Sequence, residues 1–306
     1  MKYPDPRTLR LSEISRENLL EDEVVIISEA HKGQEARGEV PLWQELKKSD
    51  PARVIEIERI GHELISVNVE GKPKEEIELK NINRIKELIG NRSALIDITS
   101  MRHNVWAPII RTVKNFGIDC RVLYVEPGKY AKHPSPSSET VFDLTTSFES
   151  MVPLPTFSVL DGPKEGQEAL FVTMLGFEGS RPTRLLMEIE PAPEVIPIVG
   201  VPGFKVQYPT YTVTCNKSML KKISANKLRA ARASCPFEVY EILVRLRESY
   251  PNHYIYIAPV GTKPHGLGAV LFMIDYPESA ELLYDNPLGK SGRTEGKALY
   301  HLYKIQ

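Results

Sequence analysis

Apolar and polar positions change rhythm within residues 254–274, YIYIAPVGTKPHGLGAVLFMI, at Gly261, Thr262, Lys263, Pro264 and His265. The β-branched and aromatic run at 254–257 predicts a strand, and the apolar stretch after His265 predicts a buried helix. A strand, a small-residue turn and a helix leave backbone N–H groups and a helix N-terminus open to an anion. Residues 94–129 have the same layout: a β-branched strand at 95–98, a short polar turn and a helical apolar face. A strand ending in Tyr-x-x-Pro follows. His103 aligns with His265 and Ala107 with Ala269 at a spacing of 162, whereas Tyr124 aligns with Tyr284 and Pro127 with Pro287 at 160. One small loop insertion accounts for the drift.

The echo extends upstream. Residues 23–38 and 169–182 each run from an apolar strand into a polar turn that closes with an arginine, Arg37 or Arg181. Between the copies, residues 132–167 are rich in Pro, Ser and Gly and read as a partly extended linker, with short edge strands available at 141–142 and 157–160. Val239, Ile242, Leu243 and Leu246 recur at helical spacing. Strands alternating with such helices call for α/β architecture with mostly parallel sheets. The expected fold is two tandem Rossmann-like units, related by a pseudo-two-fold and spanning residues 1–150, with the start of the linker, and 151–306.

Composition narrows the function. With 39 Lys and Arg against 40 Asp and Glu, the net charge of -1 supplies no overall field for nucleic acid or an anionic membrane. Cys120, Cys215 and Cys235 are far apart and lack metal-ligand spacing, so neither a zinc site nor a disulfide framework is expected, and a reducing compartment fits. The polar N-terminal stretch lacks a signal-peptide core and no apolar run is long enough to span a bilayer. A cytoplasmic protein without a membrane partner is expected. Lys217, Lys221, Lys222, Lys227, Arg229 and Arg232 form a stretch without acids; it reads first as a solvated helix face, and nucleic-acid binding keeps a minor share.

Ligands of open parallel sheets bind outside the carboxyl ends of the strands, where the polar turns are expected. The second half offers Glu178 and Arg181 from its first turn, with Gly261, Thr262, Lys263 and His265 from the later one. Lys263 supplies a point charge, Thr262 a hydroxyl and Gly261 close backbone approach, an inventory suited to phosphate. The first half offers Glu29, His31 and Arg37 with Thr99, Ser100, Arg102, His103 and Asn104. Structural readings stand beside these: the two histidines as bonds to backbone carbonyls, the arginines as loop ties, Glu178 as a helix N-terminal acid, and Asp97 as a buried acceptor rather than a base. The chain has no Gly-x-Ser-x-Gly elbow, P-loop, His-Glu-x-x-His or GxGxxG after a strand. Catalytic residues are therefore not assigned, and no cofactor or metal is expected.

The motifs GFEGSR, residues 176–181, and GTKPH, residues 261–265, resemble those of the CRISPR-associated Rossmann-fold (CARF) ligand-sensing domains. KGQEAR and TSMRH stand at the equivalent places of the first half, with Met101 where the second half has Lys263. The resemblance implies a nucleotide-sensing regulatory or defence-associated protein. Its ligand would be a nucleotide or cyclic oligonucleotide in a cleft shared by two units, and its output would pass to an effector protein. The alternatives are a nucleotide-processing enzyme, of ring-nuclease or N-glycoside hydrolase type, using Glu29, Asp97 or Glu178 with a histidine, and a non-catalytic interaction module.

Overall fold

A computed structural model describes residues 5–28, 39–137, 139–149, 151–159, 161–278 and 280–305. The chain divides into two compact units, residues 1–130 with 291–306, and residues 131–290. The sequence suggested one cut within 132–167; the structure places that whole stretch in the second unit and returns the C-terminal strand to the first.

The first unit contains β1 (Thr8–Leu11), β2 (Val24–Ser28), α1 (Pro41–Ser49), β3 (Val54–Arg59), β4 (Leu64–Asn68), β5 (Glu75–Glu78), α2 (Ile82–Ile89), β6 (Ala94–Asp97), α3 (His103–Asn115), β7 (Cys120–Tyr130) and β15 (Thr294–Lys304). Its eight strands are ordered β1-β15-β7-β6-β2-β3-β4-β5. The central four, β7-β6-β2-β3, are parallel, and the flanking strands are antiparallel. Up to their last residues, Ser28 and Asp97, β2 and β6 are apolar on both faces because both faces are covered. On one face Val25, Ile27, Leu95, Leu123 and Val125 pack with Leu42, Trp43 and Leu46 of α1. Tyr300 and Leu302, alternate residues of β15, join that cluster.

The second unit contains β8 (Thr145–Phe148), β9 (Ala169–Met174), α4 (Ser180–Met187), β10 (Glu194–Gly200), α5 (Tyr208–Cys215), α6 (Lys217–Leu220), β11 (Arg229–Ala231), α7 (Pro236–Ser249), β12 (Tyr254–Ala258), α8 (Lys263–Asp275), β13 (Ala280–Leu282) and β14 (Pro287–Gly289). Its main sheet, β11-β10-β9-β12-β13, is parallel throughout. Counted along this sheet, the strands follow the order 3-2-1-4-5, with the order reversing between β9 and β12. β8 and β14 form a separate antiparallel pair.

The parallel cores share an order, since β3-β2-β6-β7 corresponds to β10-β9-β12-β13. β12, α8 and β13 each begin 160 residues after β6, α3 and β7, and α3 and α8 are both 13 residues long. The elements therefore keep one spacing, and the spacing of 162 between the histidines does not follow it: His103 opens α3, whereas His265 is the third residue of α8. Beyond this core the units diverge. The first adds antiparallel strands beside β3, while the second adds the parallel β11 beside β10. Tyr124 and Pro127 lie inside the long β7, but β13 stops before Tyr284 and Pro287 opens β14.

Candidate functional site

At the reversal point of the second unit, the turn after β9, residues 175–179, meets the turn after β12, residues 259–262. A side chain at Gly176 would put its Cβ 2.7 Å from the Val260 carbonyl oxygen, and one at Gly261 would approach the Met174 and Leu175 carbonyls at 3.0 and 3.1 Å. Only glycine lets these two backbones lie so close. Both turns lie at the ends of their strands and touch each other.

Arg181, in the first turn of α4, is buried and directs its guanidinium at Asp285, with Nε donating to Oδ2 at 2.9 Å and a terminal nitrogen to Oδ1 at 2.7 Å. Its other terminal nitrogen reaches the Val260 carbonyl at 3.5 Å and stands 3.7 Å from the Glu178 carboxylate. Burial works against its charge, but the hydrogen bonds and field of Asp285 prevail and hold its pKa above the ordinary arginine value. Arg181 thus ties together the turns after β9, β12 and β13. Glu178 accepts a hydrogen bond from the Thr145 hydroxyl at 2.9 Å. Asp285 escaped the sequence reading although it lies within the matched Tyr284-x-x-Pro287 motif, because only its fold partner, 104 residues away, reveals its role.

Thr262 is the N-cap of α8, its hydroxyl accepting from the His265 backbone N–H at 3.3 Å and donating to the Ala233 carbonyl at 2.7 Å. Lys263 is the first helical residue and is partly exposed, and the first turn contains no acid. A cation at the positive end of a helix is the reverse of the usual electrostatic arrangement. His265 is fully buried, with Nε2 3.0 Å from the Arg232 carbonyl. A carbonyl can only accept, so Nε2 carries the proton and Nδ1 is left as a bare acceptor, without a hydrogen-bond partner. Burial pushes its pKa down to about 4. This is the carbonyl-bonded histidine of the structural reading.

In the first unit, Asp97 is buried, accepting from the Trp43 indole N–H and from the Thr99 backbone N–H, both at 2.9 Å. The Thr99 hydroxyl accepts from the Val125 N–H at 3.0 Å, and the Asn104 amide donates to the His62 carbonyl at 2.6 Å. These groups order the turn after β6. Ser100 and Arg102 are partly buried in that turn, with Arg102 at the N-cap of α3, and His103 is buried against Trp106 at a ring separation of 4.8 Å. Glu29, His31 and Arg37 lie outside the described residues.

Of the basic stretch, Lys227 pairs with Glu194, Arg232 with Glu238 and Lys217 with Glu139, while Lys221 and Lys222 are exposed. Among the described residues no group of three or more His, Cys, Asp or Glu could hold a metal ion, and no helix is long and apolar enough to cross a membrane. No protein-family model matches the chain, and no curated protein matches it.

Proposed function

We propose that the protein senses a nucleotide, mononucleotide or cyclic oligonucleotide, bound at the carboxyl ends of β9 and β12, and passes the bound state to a partner protein. One observation carries the reading. The turns after these strands close on each other at the reversal point of a parallel sheet, the position where open α/β folds take ligands, and beside it Lys263 reinforces the acid-free positive end of α8. A phosphate there would meet the positive helix end and the lysine ammonium together.

The motif resemblance to CARF-like sensors, and the strand order shared by the two parallel cores, support two related Rossmann-like units. Sensing is favoured over turnover because buried acids at the candidate turns are committed to structural bonds: Asp97 accepts two hydrogen bonds, and Asp285 accepts two from Arg181. Calorimetric titration with nucleoside mono- and triphosphates and cyclic oligoadenylates, followed by chromatography of the recovered ligand, tests the reading. Binding without consumption supports it; multiple-turnover conversion overturns it in favour of an enzyme.

A further inference from the structure

Residues 139–149, read from sequence as linker, form a strap over the turns at the carboxyl end of the second unit's sheet. The Phe142 ring stacks on Phe177 at 4.3 Å, with Tyr208 and Tyr211 presenting edges to it at 6.3 and 5.4 Å. Phe177 lies in the turn after β9, and its own contact with Tyr208 is edge-on at 5.2 Å. Three aromatic rings therefore wall a slot, and Phe142 fills it. Three residues on, the Thr145 hydroxyl donates to Glu178, the neighbour of Phe177.

The walls do not depend on the strap. Asn216, at the end of α5, donates its amide to the Gly176 carbonyl at 2.8 Å, and the Gly179 backbone abuts the Cys215 carbonyl. These contacts lock the Phe177 turn to the helix that carries both tyrosines. The strap itself is lightly held: Phe142 is its only fully buried side chain among residues 139–149. Its other contacts lie near the surface: backbone bonds from Glu149 to Asn286, from Lys290 to Leu144 and from His133 to Val141, a bridge between Lys132 and Phe142, the β8–β14 pairing, the Ser218 hydroxyl on Glu139, Arg184 over the Phe148 ring, and two ion pairs. A segment with so little buried area belongs to the class that opens locally before the unit unfolds.

We infer that Phe142 and Thr145 occupy a nucleoside subsite from within, the ring standing in for a base and the hydroxyl for a sugar hydroxyl or base amine. Ligand binding would displace the strap, stack the base on Phe177 and give Glu178 a new donor, so that strap release is the signal. Stacking tolerates any base, and the carboxylate accepts either kind of donor. The inference rests on the nucleotide-binding reading and adds where the base sits and what moves.

The test uses the full chain and the fluorescent probe 2-aminopurine riboside 5′-monophosphate, whose emission falls on stacking. Phe142→Ala is expected to tighten probe binding about 2- to 12-fold, the competition lost with one aromatic pair. Phe177→Ala is expected to weaken it at least about 5-fold. Hydrogen exchange should show the Glu149 and Lys290 amides deprotected on probe binding to the wild type. Phe142→Leu and Thr145→Val, which retain the apolar fill and the strand, serve if Phe142→Ala loosens the unit, and should also tighten binding. A probe that binds equally well or less well to the strap variants, or protects the strap, overturns the inference while leaving nucleotide sensing intact. A probe that binds no variant overturns it too, and the wider reading falls only if the calorimetric panel is also silent.

Discussion

Replacing Asp285 with alanine leaves the Arg181 guanidinium buried and deprived of both its short hydrogen bonds. Glu178 is no substitute, since it stands 3.7 Å from one terminal nitrogen and already accepts from Thr145. Breaking a buried pair in this way costs ~3–5 kcal/mol, mostly the burden of the uncompensated charge. For a unit the size of residues 131–290, one kcal/mol shifts the melting point by ~2–4 °C, so a loss of ~6–20 °C is expected. Arg181→Met combined with Asp285→Leu should recover most of that loss, because it removes the desolvated charges together. Circular dichroism melts, with hydrogen exchange over β9, β10 and β12, measure the effect. Tryptophan fluorescence provides an internal control, since Trp43 and Trp106 both belong to the first unit and should report little change. A single variant within about 1 kcal/mol of wild type, or a double variant showing only the sum of its single losses, would refute the assignment of this pair as the tie between the three turns.

Two further outcomes follow from the same turns. His265 is buried neutral with its pKa near 4, below the ordinary 6.5, so below that value the unfolded chain binds a proton that the folded chain refuses. Its contribution is intact above about pH 6.5 and fades toward pH 4, by up to ~3 kcal/mol. The stability gap between wild type and His265→Gln in urea should therefore narrow as the pH falls from 6.5 to 4.5, and parallel curves would contradict the buried neutral state. Gly261→Ala brings a methyl group against two backbone carbonyls that cannot swing aside, and should destabilise the second unit by ~1–3 kcal/mol and weaken nucleotide binding; an unchanged melting curve would show that the turns are not in contact.

What the sequence made legible was local. The strand at 254–258, the turn and α8 follow from a β-branched run, a Gly-Thr-Lys-Pro break and an apolar stretch, and the matching β6, turn and α3 echo them. Because a helix is set by its caps and turns, the elements kept one spacing, and aligning individual histidines misjudged it by two residues. Fold-level pairing was not legible. Nothing local in residues 294–304 says that they lie between β1 and β7, so a division by chain order puts this strand in the second unit although it completes the first. Pro and Ser content described residues 132–167 as extended without saying what they cover. Phe142 acquires its meaning only beside Phe177, as Asp285 does beside Arg181. The identities of Thr262 and His265 were readable, but their roles as helix cap and carbonyl tie became plain once Ala233 and Arg232 stood next to them.

The most direct test of nucleotide sensing at the second unit is calorimetric titration of wild-type protein and Lys263→Ala with the nucleotide that binds tightest in the panel. Lys263 is partly exposed at the start of α8, so its truncation should leave the melting temperature nearly unchanged while removing a charge-assisted contact to phosphate. Affinity should fall about 12- to 160-fold, equivalent to ~1.5–3 kcal/mol. Undiminished affinity in a variant that folds normally, or a variant that loses stability and keeps its ligand, would contradict a phosphate site at this turn.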